Sequence, residues 1–133
     1  MLDTNVLLAG VFTRGVCEAV LDACIGADAF TLVLSGHILD EFRRHARGKF
    51  GATADEVKAA LDLLREHAEI VVPSDVPGDV CSDASDLPVI GTAVAGDAPV
   101  LVTGDSDLLR LKRFGAVEII TVRQFYDRLL ARG

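Results

Sequence analysis

The chain has 133 residues, half of them apolar and a quarter charged, the make-up of a soluble globular domain, expected to run as one unit over 1–133. No apolar run approaches the roughly 20 residues that span a bilayer, and no basic-then-apolar leader opens the sequence, so neither membrane insertion nor export is expected. Cys17, Cys24 and Cys81 are odd in number and form no CxxC pair, which argues against a disulfide framework or a zinc site and fits a reducing cytoplasm. The net charge of −7 repels polyanions on average, yet its distribution is uneven. "RRHARGK" at 43–49 and "RLKR" at 110–113 are basic, while acids gather at 75–86 and 105–107.

Residues 1–8, with "LDTNVLL", read as a buried strand that contains a misfit. Asp3 and Asn5 would share one face of it, and a buried carboxylate costs several kcal/mol unless paired. The stretch 15–27 has Val16, Ala19, Val20, Ala23 and Cys24 at helical spacing. "FTLVLS" (30–35) is a short strand. Ser35 caps a helix running to about Arg47, with Ile38, Phe42 and Ala46 inside. Thr53 and Glu56 form a capping box opening a helix with Val57, Ala60, Leu61 and Leu64 on one stripe. "EIVV" (69–72) is a third strand, followed by a polar loop, 73–85. A helix runs from about Asp86 to Ala95, with Pro88 in its first turn. "PVLVT" (99–103) and "VEIIT" (117–121) are the last strands, and Thr121 with Gln124 caps a final helix to about Ala131. Strands alternating with helices, the strands continuously apolar, predict an α/β fold: a doubly wound, three-layer α/β/α sandwich on a central parallel sheet.

In such sheets ligands bind beyond the carboxyl ends of the strands. Four acids fall near those ends: Asp3, Asp86, Asp105 and Glu41. Each has an ordinary reading taken alone. Asp86 suits a helix N-terminus, Asp105 or Asp107 a turn or a cap, Glu41 a solvated helix face, and Asp3 a buried acid satisfied by backbone N–H groups. Together they say more. Two carboxylates about 4 Å apart repel by roughly 4 kcal/mol at an effective dielectric near 20, so a cluster calls for a cation. All-oxygen ligands select Mg²⁺ or Mn²⁺ over zinc, and such ions assist phosphodiester hydrolysis. A P-loop, a dinucleotide-binding GxGxxG and a GxSxG serine are all missing. His37, His45 and His67 lack metal-ligand spacing and read as surface or boundary residues. The reversal of sign at Arg43, Arg44, Arg47 and Lys49 marks a basic tract expected to touch the substrate backbone.

Four segments, "LDTNVLL" (2–8), "LVLSGHILDEFRR" (32–44), "SDASDLPVIGTAVA" (82–95) and "LVTGDSDLL" (101–109), resemble in order and spacing those of a PIN domain. The resemblance is greatest to bacterial PIN proteins grouped with the toxin halves of toxin–antitoxin pairs (VapC-like). It implies a Mg²⁺- or Mn²⁺-dependent nuclease acting on single-stranded or structured RNA, with an antitoxin as partner and a homodimer as the usual state. The resemblance places metal and catalysis on Asp3, Glu41, Asp86 and Asp105, with Asn5, Thr103 and Asp107 in support. Only Met1 and Leu2 precede Asp3 here, where family members have more apolar residues: either the start is placed late, the chain is trimmed, or the first strand is short. The competing readings are a module that binds RNA or a protein without turnover, and an aspartate-based phosphatase or phosphoacceptor. The latter would need DxDx[TV] after the first strand, or a Lys after the last.

Overall fold

The computed structural model describes residues 1–26 and 30–132. In chain order the elements are α1 (Thr4–Phe12), α2 (Val16–Gly26), β1 (Leu32–Ser35), α3 (Gly36–Lys49), α4 (Ala54–His67), β2 (Ala68–Val71), a 3-10 turn (Ala84–Asp86), α5 (Leu87–Ala95), β3 (Val100–Val102), α6 (Ser106–Leu111), β4 (Arg113–Phe114), β5 (Val117–Ile120) and α7 (Val122–Arg132). Ala27, the end of the helix expected at 15–27, lies outside the described residues.

The caps are where sequence and structure agree most closely. Ser35 Oγ accepts from the Ile38 amide at the start of α3. The Thr53 hydroxyl accepts from the Glu56 amide while the Glu56 carboxylate accepts from the Thr53 amide. Thr121 and Gln124 make the same reciprocal pair in front of α7. Each device satisfies N–H groups that the first helical turn leaves without partners.

The opening segment is different from the strand expected over residues 1–8. Only Leu2 pairs, as a single parallel bridge to Val102, and the chain turns helical at Thr4. An apolar run of this length fits a buried strand or a buried helix equally well. Here Leu7, Leu8, Ala9 and the apolar residues to Phe12 continue it long enough for a helix, and Leu and Ala favour one. Val6, Leu7 and Leu8 are all buried because the helix itself is buried. Asn5 therefore does not share a strand face with Asp3; it stands exposed in the first turn of α1.

The strands are parallel in two pairs, β1 with β2 and β3 with β5. The two-residue β4 runs antiparallel to β5. The fold is thus α/β, but the strands form a two-stranded and a three-stranded sheet with one antiparallel edge, where one continuous parallel sheet was expected. Residues 106–111, where no helix was expected, form α6, and Asp105, read as a turn or cap residue, caps it.

The core is built from Leu7, Leu8, Leu34, Ile38, Phe42 and Ile90, with Leu64, Leu101 and Leu108, all fully buried. Each contributes about 1.5–3 kcal/mol by leaving water. The loop leading to Asp86 is pinned at its start, where the Ser74 amide donates to Gly91 O at 2.9 Å. A Cβ at Gly91 would collide with the Ser74 carbonyl, so glycine there permits the close approach of loop and helix. Among the described residues no helix is long and apolar enough to cross a membrane.

Candidate metal centre

The acids are assembled by the ends of four elements. Leu2 bridges Val102, and the Asp3 amide donates to Val102 O at 2.9 Å, which sets Asp3 beside the carboxyl end of β3. Asp3 is 7 % exposed, and both its oxygens are engaged. The Thr4 amide donates to Oδ1 and the Thr103 hydroxyl donates to Oδ2, each at 2.7 Å. Asp3 is the N-cap of α1, which explains how a carboxylate is tolerated among apolar neighbours.

Thr103 is wholly buried and works in both directions. Its hydroxyl donates to Asp3 and accepts from the Asp105 amide at 3.0 Å. Asp105 caps α6, its Oδ1 accepting from the amides of Asp107 and Leu108 at 2.8 and 3.4 Å. One hydroxyl thus ties two acids that are about a hundred residues apart in the chain. Thr103→Val keeps the shape and removes the donor, leaving Asp3 Oδ2 buried without a partner. The expected loss is about 1–3 kcal/mol, read from urea unfolding, and Thr103→Ser should recover most of it.

Asp86 is held in another way. It ends the 3-10 turn and precedes α5, is 7 % exposed, and makes no side-chain cap. Its Oδ2 is buried and accepts no hydrogen bond. Asp86, Asp105 and Asp107 each present an oxygen within 4.8 Å of the other two. Burial first, and then the charges of Asp105, Asp83, Asp3 and Asp107, push the Asp86 carboxyl up to about 6. Asp3 is raised as well, chiefly by burial and further by Glu41 and Asp105, against the lowering effect of its bonds from Thr103 and Thr4.

Glu41 stands on α3 at the other side of Asp3, linked through the Thr4 hydroxyl, which donates to Oε1 at 3.1 Å. His37 Nε2 lies 3.2 Å from that same oxygen, within ion-pair distance although not aligned as a hydrogen bond. The chain of contacts runs Glu41–Thr4–Asp3–Thr103–Asp105, with Asp107 and Asp86 closing one end. Asn5 is exposed, and Arg43, Arg44, Arg47 and Lys49 are exposed along α3.

Two neighbours were not expected at the site. His37 was read as a surface or boundary residue; its i,i+4 spacing to Glu41 was the available signal. Cys81, to which no role at the site was assigned, is half-buried. Its thiol is raised by burial and then by Asp86, Asp105, Asp107 and Asp83, which places it in their field.

The donors suit a hard divalent cation. They are carboxylates only, mutually repelling, and one buried oxygen has no partner, the condition a cation relieves. The fold and site define an α/β protein with an acidic centre at the carboxyl ends of its strands. A family model described as PIN domain matches residues 1–107, and the chain belongs to the PIN domain family. PIN domains are in general metal-dependent nucleases. No curated protein matches the chain.

Proposed function

We propose that this PIN domain, a single unit over 1–133, is an endoribonuclease that hydrolyses RNA phosphodiester bonds with Mg²⁺ or Mn²⁺. In this reading it is the toxin of a bacterial toxin–antitoxin pair (VapC-like), cytoplasmic, dimeric and held in check by a cognate antitoxin. The observation that carries the nuclease reading is the Asp86 carboxylate, which gathers with Asp105 and Asp107 and whose buried Oδ2 has no hydrogen-bond partner. Asp3 and Asp105 are fixed by hydrogen bonds from Thr4, Thr103, Asp107 and Leu108, whereas Asp86 Oδ2 is left for a cation.

Asp86, Asp105 and Asp107 would hold the ion, with Asp3 beside them through Thr103. A bound divalent ion supplies countercharge for phosphate oxygens and activates water as the attacking group. Asp3 keeps its orientation from Thr4 and Thr103 and adds negative charge that favours the ion. Glu41, oriented by the Thr4 hydroxyl and close enough to Asp3 to raise its carboxyl, would take a proton from water. Asn5, at the start of α1, is close in sequence to Asp3 and would meet only substrate or solvent. The toxin role rests on the four matched sequence segments. The apolar side chains left exposed at Leu63 on α4 and Ile70 on β2 are where contact with a second copy should be sought by protection on dimerisation.

The test is cleavage of end-labelled RNA and DNA of identical sequence, with Mg²⁺, with Mn²⁺ and with chelator. Internal cuts in RNA that need the metal are expected. Retention of RNA without cuts would instead support the binding module, and cuts confined to DNA would overturn the ribonuclease reading.

A further inference from the structure

Helix α3 sends its cations in two directions. Successive helical residues are turned by about 100°, so Arg44 and His45 flank the direction of Glu41, which faces Thr4. Arg43 and Arg47 point the other way, towards α4. There they line an open groove of about 230 Å³ together with Lys58 and Arg65, over a floor that includes Val57 and Leu61. Lys58 is paired with Asp62 at 2.9 Å and Arg43 lies 3.9 Å from Asp40. Arg47 and Arg65 have no acidic partner within 4 Å among the described residues.

We propose that this groove is a second, metal-independent subsite that grips the phosphate backbone of a single-stranded nucleic acid several nucleotides from the acidic centre. The identity of the polyanion rests on the nuclease reading above. A chain with 20 acids and 13 Lys and Arg repels a polyanion unless cations are concentrated somewhere, and four of the 13 converge here. Three are arginines, whose planar fork matches phosphate oxygens in pairs. The basic tract seen in the sequence is thereby divided: Arg43 and Arg47 belong to the groove with two residues of α4, while Arg44 turns towards Glu41. A helix with its side chains is about 10–12 Å across, and a strand stacked as in a duplex advances about 3.4 Å per nucleotide. A stacked strand covering that width spans about three or four nucleotides, and a more extended one fewer.

The experiment compares Arg43→Gln/Arg47→Gln/Arg65→Gln with a charge-matched control, Arg14→Gln/Arg113→Gln/Arg123→Gln, in chelator. Fluorescence anisotropy of labelled 12-mer and 3-mer single-stranded RNA is followed across salt concentration, and circular dichroism confirms that each variant is folded. For the 12-mer, the groove variant should bind at least tenfold more weakly at low salt. Its log–log salt slope should be shallower by about 2, at about 0.7 per lost phosphate contact. The control should change less, and the 3-mer should not distinguish the two variants. Equal losses in both variants would reduce the effect to bulk charge and overturn the proposal, as would no loss in either or no binding by the parent chain. Groove-dependent binding of poly-glutamate without binding of RNA would overturn it in favour of an acidic protein partner. Groove-dependent RNA binding without any metal-dependent cleavage would sink the nuclease reading and leave the subsite standing.

Discussion

Asp86→Asn should make the metal-free protein more stable at pH 7, and the gain should vanish by about pH 4. The Asp86 carboxyl titrates near 6 in the fold against an ordinary 3.8, so folding strengthens its hold on the proton. A group raised in this way leaves the fold most stable below about 4. Stability then falls as pH rises from about 4 to about 6 and is level above that. The two-unit rise corresponds to roughly 3 kcal/mol. Asparagine has no charge to desolvate and escapes that penalty. What it gives up is the attraction between a carboxylate and the N-terminus of α5, about 0.3–1 kcal/mol, and no cap bond is lost because Asp86 makes none. Urea unfolding of both proteins with chelator, at pH 4, 5, 6 and 7, reads the difference. Asp105→Asn is a poorer probe, since Asp105 accepts two amides at the start of α6; its loss should cost stability of its own.

A divalent ion should close that gap. Bound only to the folded state, Mn²⁺ at about 100 times its dissociation constant adds roughly 2.7 kcal/mol. That nearly cancels the penalty the parent chain carries at pH 7. In Asp86→Asn one of three converging carboxylates is gone, and the increment should shrink sharply. Thermal melts with and without Mn²⁺ give both numbers on one preparation. Equal metal shifts in parent and variant would mean that the ion binds elsewhere. A calcium titration alongside tests ion size, as Mg²⁺ and Mn²⁺ suit a compact six-coordinate set better than Ca²⁺ does.

Local features of the fold were legible because their causes are local. Ser35, Thr53 with Glu56, and Thr121 with Gln124 cap helices through groups no more than three residues apart, and all three act as read. Val57, Ala60, Leu61 and Leu64 lie on the buried stripe of α4 that their spacing implied. The opening segment was misread because the same apolar run serves a buried strand or a buried helix. Tertiary packing decides, and Asp3 proves to be a helix cap where it looked like a misfit in a strand. Helix α6 escaped notice because six residues give too few turns for a periodic signal.

The site was legible as a set of residue types and only partly as a geometry. Asp86 and Asp105 stood out by falling where strands and loops meet, and they do converge. Asp107 comes into the same cluster because α6 begins at Ser106 and its first turn swings the side chain back; without that helix its direction could not be inferred. Thr103 joins Asp3 to Asp105 across the sheet, a contact that pattern within any one segment does not contain. The placement of Arg43 and Arg47 opposite Glu41 follows from helical periodicity, but their union with Lys58 and Arg65 required the packing of α3 on α4.

The central claim is that Asp86 belongs to a metal centre that cleaves RNA. It is tested most directly by the cleavage rate of parent and Asp86→Asn on one single-stranded RNA in saturating Mn²⁺, with both proteins folded to the same extent by circular dichroism. The account predicts metal-dependent cleavage by the parent and a loss of at least a hundredfold in the variant, about 2.7 kcal/mol of barrier or more, although the variant's metal-free fold is the sturdier of the two. Cleavage by Asp86→Asn at the parent's rate would contradict it.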